Sequence, residues 1–247
     1  MNEHYNRFKE APWFLSMPEE EKAIIPYSTI NIGGAGGIGS WTALFLSRAG
    51  FYTYVQDFDT IETHNIGGQF YRADDIGFFK VDILQKLIHD FTGSHMCSVS
   101  TEAVGNYTPG YLFMVSAFDN MKARKMFFEA WKKSLINYGI GDKDGLFIDR
   151  RLSGDKDGLF IDGRLSMEGY EIYCVTPDKI KEYEETLFLD EEVEDLPCTM
   201  KQTTHVAAMI GSQITALFTN HVTNIKAGKA IRSVPFKYTF FTPLFCN

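Results

Sequence analysis

The sequence predicts an α/β fold: a Rossmann-like, mainly parallel sheet flanked by helices, with an antiparallel C-terminal part. Three observations predict it. Residues 29 to 57 read as strand, glycine loop, helix and strand. The run Tyr111 to Ala117 is a strand of fully buried type, and helical spacing follows it. Near the C-terminus the pattern turns to alternation, in Tyr170 to Val175 and again in Ser233 to Thr242.

Taken in order, residues 1 to 27 form an extension broken by Pro12, Pro18 and Pro26. The first strand is Thr29-Ile30-Asn31-Ile32, and the loop is Gly34-Ala35-Gly36-Gly37-Ile38-Gly39-Ser40. A helix from Trp41 to Ala49 ends at Gly50, a residue suited to a left-handed cap. The second strand, Tyr52 to Gln56, ends on Asp57. Residues 74 to 91 carry a helical stripe of Ile76, Phe79, Ile83, Leu87 and Ile88. A short strand, Met96 to Thr101, precedes the buried strand at Tyr111 to Ala117. A helix over 120 to 133 follows, with Asp119 or Asn120 as its N-cap.

Residues 141 to 153, GDKDGLFIDRRLS, are then repeated as GDKDGLFIDGRLS over 154 to 166. The copies differ only at Arg150 against Gly163. One tandem copy is too short for a solenoid and reads as a local duplication. Each holds one Leu-Phe-Ile strand, but only the second runs directly into Met167-Glu168-Gly169-Tyr170. We expect the second copy in the sheet. DKDG lacks the later ligands of a calcium loop and reads as a turn. A short helix over 178 to 187, an acidic crossover from Phe188 to Pro197 and a small-residue helix over 205 to 225 complete the order.

A length of 247 residues fits one domain. We divide it into the extension 1–27, a nucleotide-binding half 28–135, and a C-terminal half 136–247 that includes the crossover 188–204. The net charge of −8 argues against broad binding to nucleic acid or an anionic membrane. Cys97, Cys174, Cys198 and Cys246 are far apart, with no CxxC pair, so neither a structural zinc site nor a disulfide framework is indicated. The polar start, Met1 to Glu10, is no signal peptide, and Val206 to Val222 contains Gln213, Asn220 and His221 and is no membrane span. A cytoplasmic protein is expected.

Glycines allow a tight turn and let backbone N–H groups approach a phosphate, while an acid ending the second strand suits a ribose hydroxyl. No Lys-Ser or Lys-Thr follows the glycines, so the loop is no Walker motif. What comes after is more specific. The chain supplies GAGGIGS, then DFDTIETHNIGGQ, then GFFK, then FDNMKAR. These resemble GxGGxGS, DxDxVxxSNLxRQ, a Lys after a Gly, and DN with a following Arg. They are the patterns of the ThiF/MoeB/HesA family, bacterial relatives of ubiquitin-activating enzymes. The resemblance spans residues 5 to 225 and is dense up to 124.

The resemblance implies adenylylation of a C-terminal carboxylate, on a small ubiquitin-like or sulfur-carrier protein or a peptide ending in glycine. ATP and Mg²⁺ are the implied cofactors and a homodimer the implied assembly. It further implies that Gly34, Gly36, Gly37 and Gly39 cradle phosphate and that Asp57 holds the ribose. By the same resemblance Asn65, Gln69 and Lys80 address the phosphates, and Asp119 binds Mg²⁺. Asp59 and Asn120 have two readings each, as site residues or as turn and cap. Arg7 resembles the family's N-terminal Arg that reaches into the partner subunit's site, and is otherwise a solvated surface Arg. Pro197-Cys198-Thr199 resembles the Cys-Thr at which ubiquitin-activating enzymes form a thioester, yet Cys is also a common inert core residue. His205 reads as a cap or packing residue rather than a base for Cys198.

Two departures stand out. Gly68 occupies the place of the Arg in NLxRQ, and His64 that of the Ser before Asn. Either Arg72 or a partner's Arg7 compensates for the lost guanidinium, or activity is weakened. Two rival functions share this opening. A nicotinamide- or flavin-dependent oxidoreductase explains the glycines and Asp57 but not Asn65, Gln69, Lys80 and Asp119 together. A catalytically weakened nucleotide-binding scaffold draws support from Gly68.

Overall fold

The computed structural model describes residues 11–16, 29–138, 158–166, 169–188 and 203–241. Arg7, Cys198, the first copy of the duplication and the acidic crossover after Phe188 lie outside the described residues.

In chain order the elements are α1 (Pro12–Leu15), β1 (Thr29–Gly33), α2 (Gly37–Arg48), β2 (Tyr52–Gln56), α3 (Lys80–Thr92), β3 (Cys97–Ser100), β4 (Phe113–Ser116), α4 (Met121–Asn137), β5 (Leu159–Ser166), β6 (Gly169–Val175), α5 (Ile180–Glu184), α6 (Thr204–Ala227) and β7 (Lys237–Phe241). The seven strands form one sheet in the order β3-β2-β1-β4-β5-β6-β7. β1 to β5 pair in parallel, and β6 and β7 are antiparallel. The expected mixed sheet is therefore present.

The sheet has a buried core on each face. Ile30, Ile32, Val55, Val115 and Ile161 point to the face covered by α2, α3 and α6. Met114 and Phe160 point to the other, with Phe127, Phe128 and Trp131 of α4 and Tyr183 of α5. Four of these aromatics form a tight group: Phe128 lies 5.1 Å from Phe160 and 4.7 Å from Tyr183 between ring centroids, and Trp131 lies 5.7 Å from Phe160. Such contacts favour offset or edge geometry and add to the area buried. Cys97 and Cys174 are buried, and burial pushes their thiols up to about 11 and about 12, so both are inert core residues.

Several boundaries differ from the sequence expectation: β7 is only Lys237–Phe241 of the alternating Ser233 to Thr242, β4 only Phe113–Ser116 of Tyr111 to Ala117, and α4 runs on to Asn137. α2 begins at Gly37, not Trp41; Ser40 N–H already donates to the Gly36 carbonyl at 3.0 Å, closing the first turn on small residues. The stripe over 74 to 91 is helical only from Lys80. Before it stand a 3₁₀ turn at Ala73–Asp75 and Gly77 at φ 92°, a left-handed conformation that stops the helix. Phe79 instead pairs with Thr60 as an antiparallel bridge, which leaves Phe78 and Phe79 exposed. The expected helix over 178 to 187 is a 3₁₀ turn at Pro177–Lys179 followed by one turn of α5. The second copy of the duplication supplies β5, as expected.

β1 is flanked by β2 on one side and β4 on the other. The chain leaves the sheet in opposite directions there, which opens a crevice beyond the carboxyl ends of β1 and β4.

Candidate functional site

The crevice is floored by the glycine loop. Gly34 has φ 92°, and a Cβ there would stand 2.8 Å from the Ala117 carbonyl oxygen. The loop is thus pressed against the end of β4, where Ala117 N–H donates to the Gly33 carbonyl at 2.8 Å. Gly36 differs: a Cβ on it would meet nothing nearer than the Gln69 Nε2 at 3.9 Å, so this side of the loop is open. No acceptor among the described residues takes the amides of Gly36, Gly37, Ile38 and Gly39, although the last three residues are buried. Buried amides are ordinarily paired, and unpaired ones at a helix N-terminus suit an anion.

Asp57 closes the loop from the β2 side. Its Oδ2 accepts from Ala35 N–H at 2.7 Å, and its Oδ1 from Asp59 N–H at 2.8 Å. Burial raises its carboxyl above the ordinary value, and the two amides and nearby Lys80 oppose that rise. Lys80 is itself buried, and its Nζ is ion-paired with Asp59 Oδ2 at 2.8 Å.

Residues 65 to 71 are fastened to the first turn of α2. Trp41 Nε1 donates to the Gly68 carbonyl at 3.1 Å, Phe70 N–H to Ser40 Oγ at 3.1 Å, and the Tyr71 hydroxyl to the Ala35 carbonyl at 2.7 Å. Thr204 of α6 donates to the Gly67 carbonyl. Asn65 is buried at the base of this segment. Its Oδ1 accepts from Glu62 N–H at 2.8 Å and its carbonyl from Gln69 N–H at 2.9 Å, which leaves its NH₂ as the group able to donate to a ligand. The Gln69 amide faces Gly36, and its Oε1 is buried with no hydrogen-bond partner. An orphaned polar atom beside unpaired amides marks the place where a ligand completes the structure.

Asp119 follows β4 and is exposed, accepting from Asn120 Nδ2 at 3.2 Å. Asn120 caps α4, its Oδ1 accepting from Ala123 N–H at 2.8 Å. Mg²⁺ is commonly held by one or two carboxylates together with substrate phosphates and water. One exposed carboxylate beside the loop fits that pattern, and among the described residues no cluster of three potential ligands forms a protein cage.

The structure therefore brings Gly34, Gly36, Gly37, Gly39, Asp57, Asp59, Asn65, Gln69 and Lys80 around one loop, with Asp119 and Asn120 at the adjoining strand end. Arg72, one candidate to replace the guanidinium missing at Gly68, is engaged within its own turn. Its fork is bound to Asp75, Nε to Oδ2 at 3.2 Å and Nη2 to Oδ1 at 3.0 Å. Gly68 is buried beneath the Trp41 bond. His205 is exposed at the start of α6, 3.4 Å from Thr203 Oγ1.

Sequence reasoning missed one residue and the partners of another, since Arg124 reads only as the Arg that follows DN. Tyr71 is the missed residue. The missed partners belong to a buried ionic cluster: Arg124 donates to Asp162, to the Gly163 carbonyl at 3.2 Å and to the Phe118 carbonyl at 2.6 Å, while Arg164 Nε donates to Asp162 at 2.8 Å. It ties the strand end that carries Asp119 to β5. An Asp directly after Leu-Phe-Ile in a buried strand was the available signal, since a buried carboxylate requires a cation.

A twisted, mainly parallel sheet with a glycine loop at its switch point and an acid ending the neighbouring strand defines a Rossmann-like α/β protein. The chain belongs to the ThiF family, whose model matches residues 14–237. No match is found among curated proteins. Among solved structures it is similar to PaaA, with a TM-score of 0.65, 17% identity, and coverage of 98% of this chain and 71% of that one. It is similar to E. coli MccB solved with ATP, with a TM-score of 0.59, 14% identity, and coverage of 98% of this chain and 69% of that one. E. coli TcdA, named a tRNA N6-threonylcarbamoyladenosine dehydratase, gives a TM-score of 0.59 and 16% identity, with coverage of 94% of this chain and 97% of that one. At these identities the likeness shows the fold. Across several MccB structures the chain spans about two thirds of the MccB length. Among the described residues no helix is long and apolar enough to cross a membrane.

Proposed function

We propose that this protein uses ATP to adenylylate a C-terminal carboxylate on a small ubiquitin-like or sulfur-carrier protein, or on a peptide. One observation carries the reading: unpaired amides from Gly36 to Gly39, the orphaned Gln69 amide, the Lys80 ammonium and the Asp57 carboxylate surround one loop. A triphosphate supplies acceptors for the loop amides and the Lys80 ammonium, a ribose supplies hydroxyls for Asp57, and the orphaned Gln69 Oε1, an acceptor, calls for a donor such as a ligand hydroxyl. ThiF membership and the MccB structure with ATP support it, as does a MccB structure holding AMPCPP with MccA, which favours a peptide or small protein as acyl donor.

In the reaction a carboxylate oxygen attacks the α-phosphorus, the bond to the bridging oxygen breaks, and pyrophosphate leaves with that electron pair. Negative charge grows on phosphate oxygens, so donors fixed in advance are worth more than donors that must reorganise. Asp119 would hold Mg²⁺, which supplies charge neutralisation for the leaving pyrophosphate. The whole chain acts as one adenylation domain of a cytoplasmic homodimer, with Arg7 serving the neighbouring site and Cys198 taking the acyl group as a thioester. The substrate terminus is glycine in this reading.

Purified protein given its carboxylate substrate should exchange labelled pyrophosphate into ATP, and Asp119→Ala should abolish the exchange. Exchange that survives in Asp119→Ala removes the metal assignment. A thiol-sensitive adduct that persists in Cys198→Ala removes the thioester. The second reading, a nucleotide-binding scaffold without catalysis, is favoured by Gly68 and by the engagement of Arg72 with Asp75. ATP binding without exchange would select it, and binding of NADH in place of ATP would return the oxidoreductase.

A further inference from the structure

We propose that Tyr71 is a positioning residue that aims the Gly36 amide at the bound phosphate. This rests on the nucleotide reading above and adds a residue to it. Tyr71 is buried, and its hydroxyl donates to the Ala35 carbonyl at 2.7 Å. That carbonyl shares a peptide plane with Gly36 N–H. The chain has no cis peptide among its described residues, and in a trans unit C=O and N–H point in opposite directions. Holding the carbonyl inward therefore turns the Gly36 N–H outward, to the side where a Cβ would meet nothing nearer than the Gln69 amide.

The preceding peptide is held the other way. Ala35 N–H donates inward to Asp57 Oδ2 at 2.7 Å. Residue 35 is thus gripped at both of its peptide planes, one amide spent on the protein and the next presented to the ligand. The Phe70 N–H bond to Ser40 Oγ keeps the segment bearing Tyr71 on the first turn of α2, so the phenol does not drift from its acceptor. A Phe at 71 keeps the ring and its packing. It removes only the donor that fixes the peptide, so the amide is no longer preorganised for an anion.

The test compares ADP with adenosine in EDTA, by calorimetry on wild type and Tyr71→Phe. Adenosine shares the ribose contacts but has no phosphate. We expect adenosine affinity unchanged and ADP affinity about tenfold weaker in Tyr71→Phe, as for one lost hydrogen bond to a charged acceptor. Equal losses for both ligands would mean a general loosening of the fold and would overturn the assignment, as would no loss for either. A wild type that binds ADP no more tightly than adenosine would instead remove the nucleotide reading itself, whatever Tyr71→Phe does.

Discussion

The carbonyl oxygen of Gly34 lies 1.8 Å from where a Cβ on Gly39 would stand. Nothing flexible can move aside, because the oxygen is main chain, so the loop and the helix must part. Gly39→Ala should therefore destabilise the fold by roughly 2–3 kcal/mol, the upper range for overpacking. That corresponds to a melting point lower by roughly 5–10 °C in a domain of this size. Gly36→Ala should behave in the opposite way. Its Cβ meets open space, so the melting point should stay within about 2 °C, yet ADP binding should fall because a methyl occupies the approach of the phosphate. Calorimetric melting and ADP titration of the two variants check this; a Gly36→Ala chain that binds ADP normally would move the ligand away from this loop.

Lys80 is buried and its ammonium rests on Asp59. A charge held in that way is ready to exchange one anionic partner for another. Lys80→Met, which keeps the stem and removes the charge, should weaken ATP by about tenfold to a hundredfold, the range for a charge-assisted hydrogen bond in a partly desolvated site. Adenosine should bind it as it binds wild type. Equal ATP affinities would leave Lys80 a purely structural partner of Asp59.

Asp57 gives a pH dependence with a definite sign. Burial raises its carboxyl above the ordinary 3.8, so it takes up a proton at a higher pH than a free side chain would. The ionised form is the one that accepts from ribose hydroxyls. Adenosine binding should accordingly weaken as the pH falls below neutrality, with its midpoint above the ordinary 3.8. The same shift means that ionised Asp57 costs stability above its folded pKa, a cost absent below the unfolded one. Asp57→Asn should bind adenosine more weakly at neutral pH and show no such midpoint. A wild-type midpoint at or below 3.8 would place Asp57 outside the binding step.

What the sequence showed plainly was whatever repeats a local rule. β1, β2 and β6 were read to within one residue, because apolar runs between glycines and acids admit few alternatives. The motif residues from Gly34 to Lys80 were legible as a set, and the fold brings them to one loop. The stripe from Ile76 to Phe79 misled because helical spacing was satisfied while Gly77, at positive φ, had already broken the helix. Tyr71 and the Arg124–Asp162–Arg164 cluster were not legible, for a different reason. Their roles depend on partners 36 to 38 residues away in the chain, Ala35 and Asp162, and no local pattern records which strands adjoin.

The duplication supplies the sharpest test of how sequence selects structure here. β5 is built from the second copy, and Gly163 sits where a Cβ would lie 3.1 Å from Ile38 Cγ2, 3.2 Å from Ile214 Cδ1 and 3.4 Å from Ile210 Cδ1. The first copy offers the same Leu, Phe, Ile, Asp and second Arg, but it places Arg150 at this position. Pairing that copy in the sheet would bury a guanidinium among three isoleucines, at a cost of several kcal/mol. Gly163→Arg alone should then leave neither copy able to form β5, and cooperative melting should be lost. Adding Arg150→Gly should rescue it, because the first copy can now enter the sheet. The rescued chain should be less stable than wild type by about 1 kcal/mol, since the short turn into β6 becomes a longer loop and the shorter α4–β5 connection offsets only part of that cost. Circular dichroism melts of the three chains decide the matter. If Gly163→Arg melts as wild type does, or Arg150→Gly fails to rescue it, then something other than the side chain at this one position selects the copy.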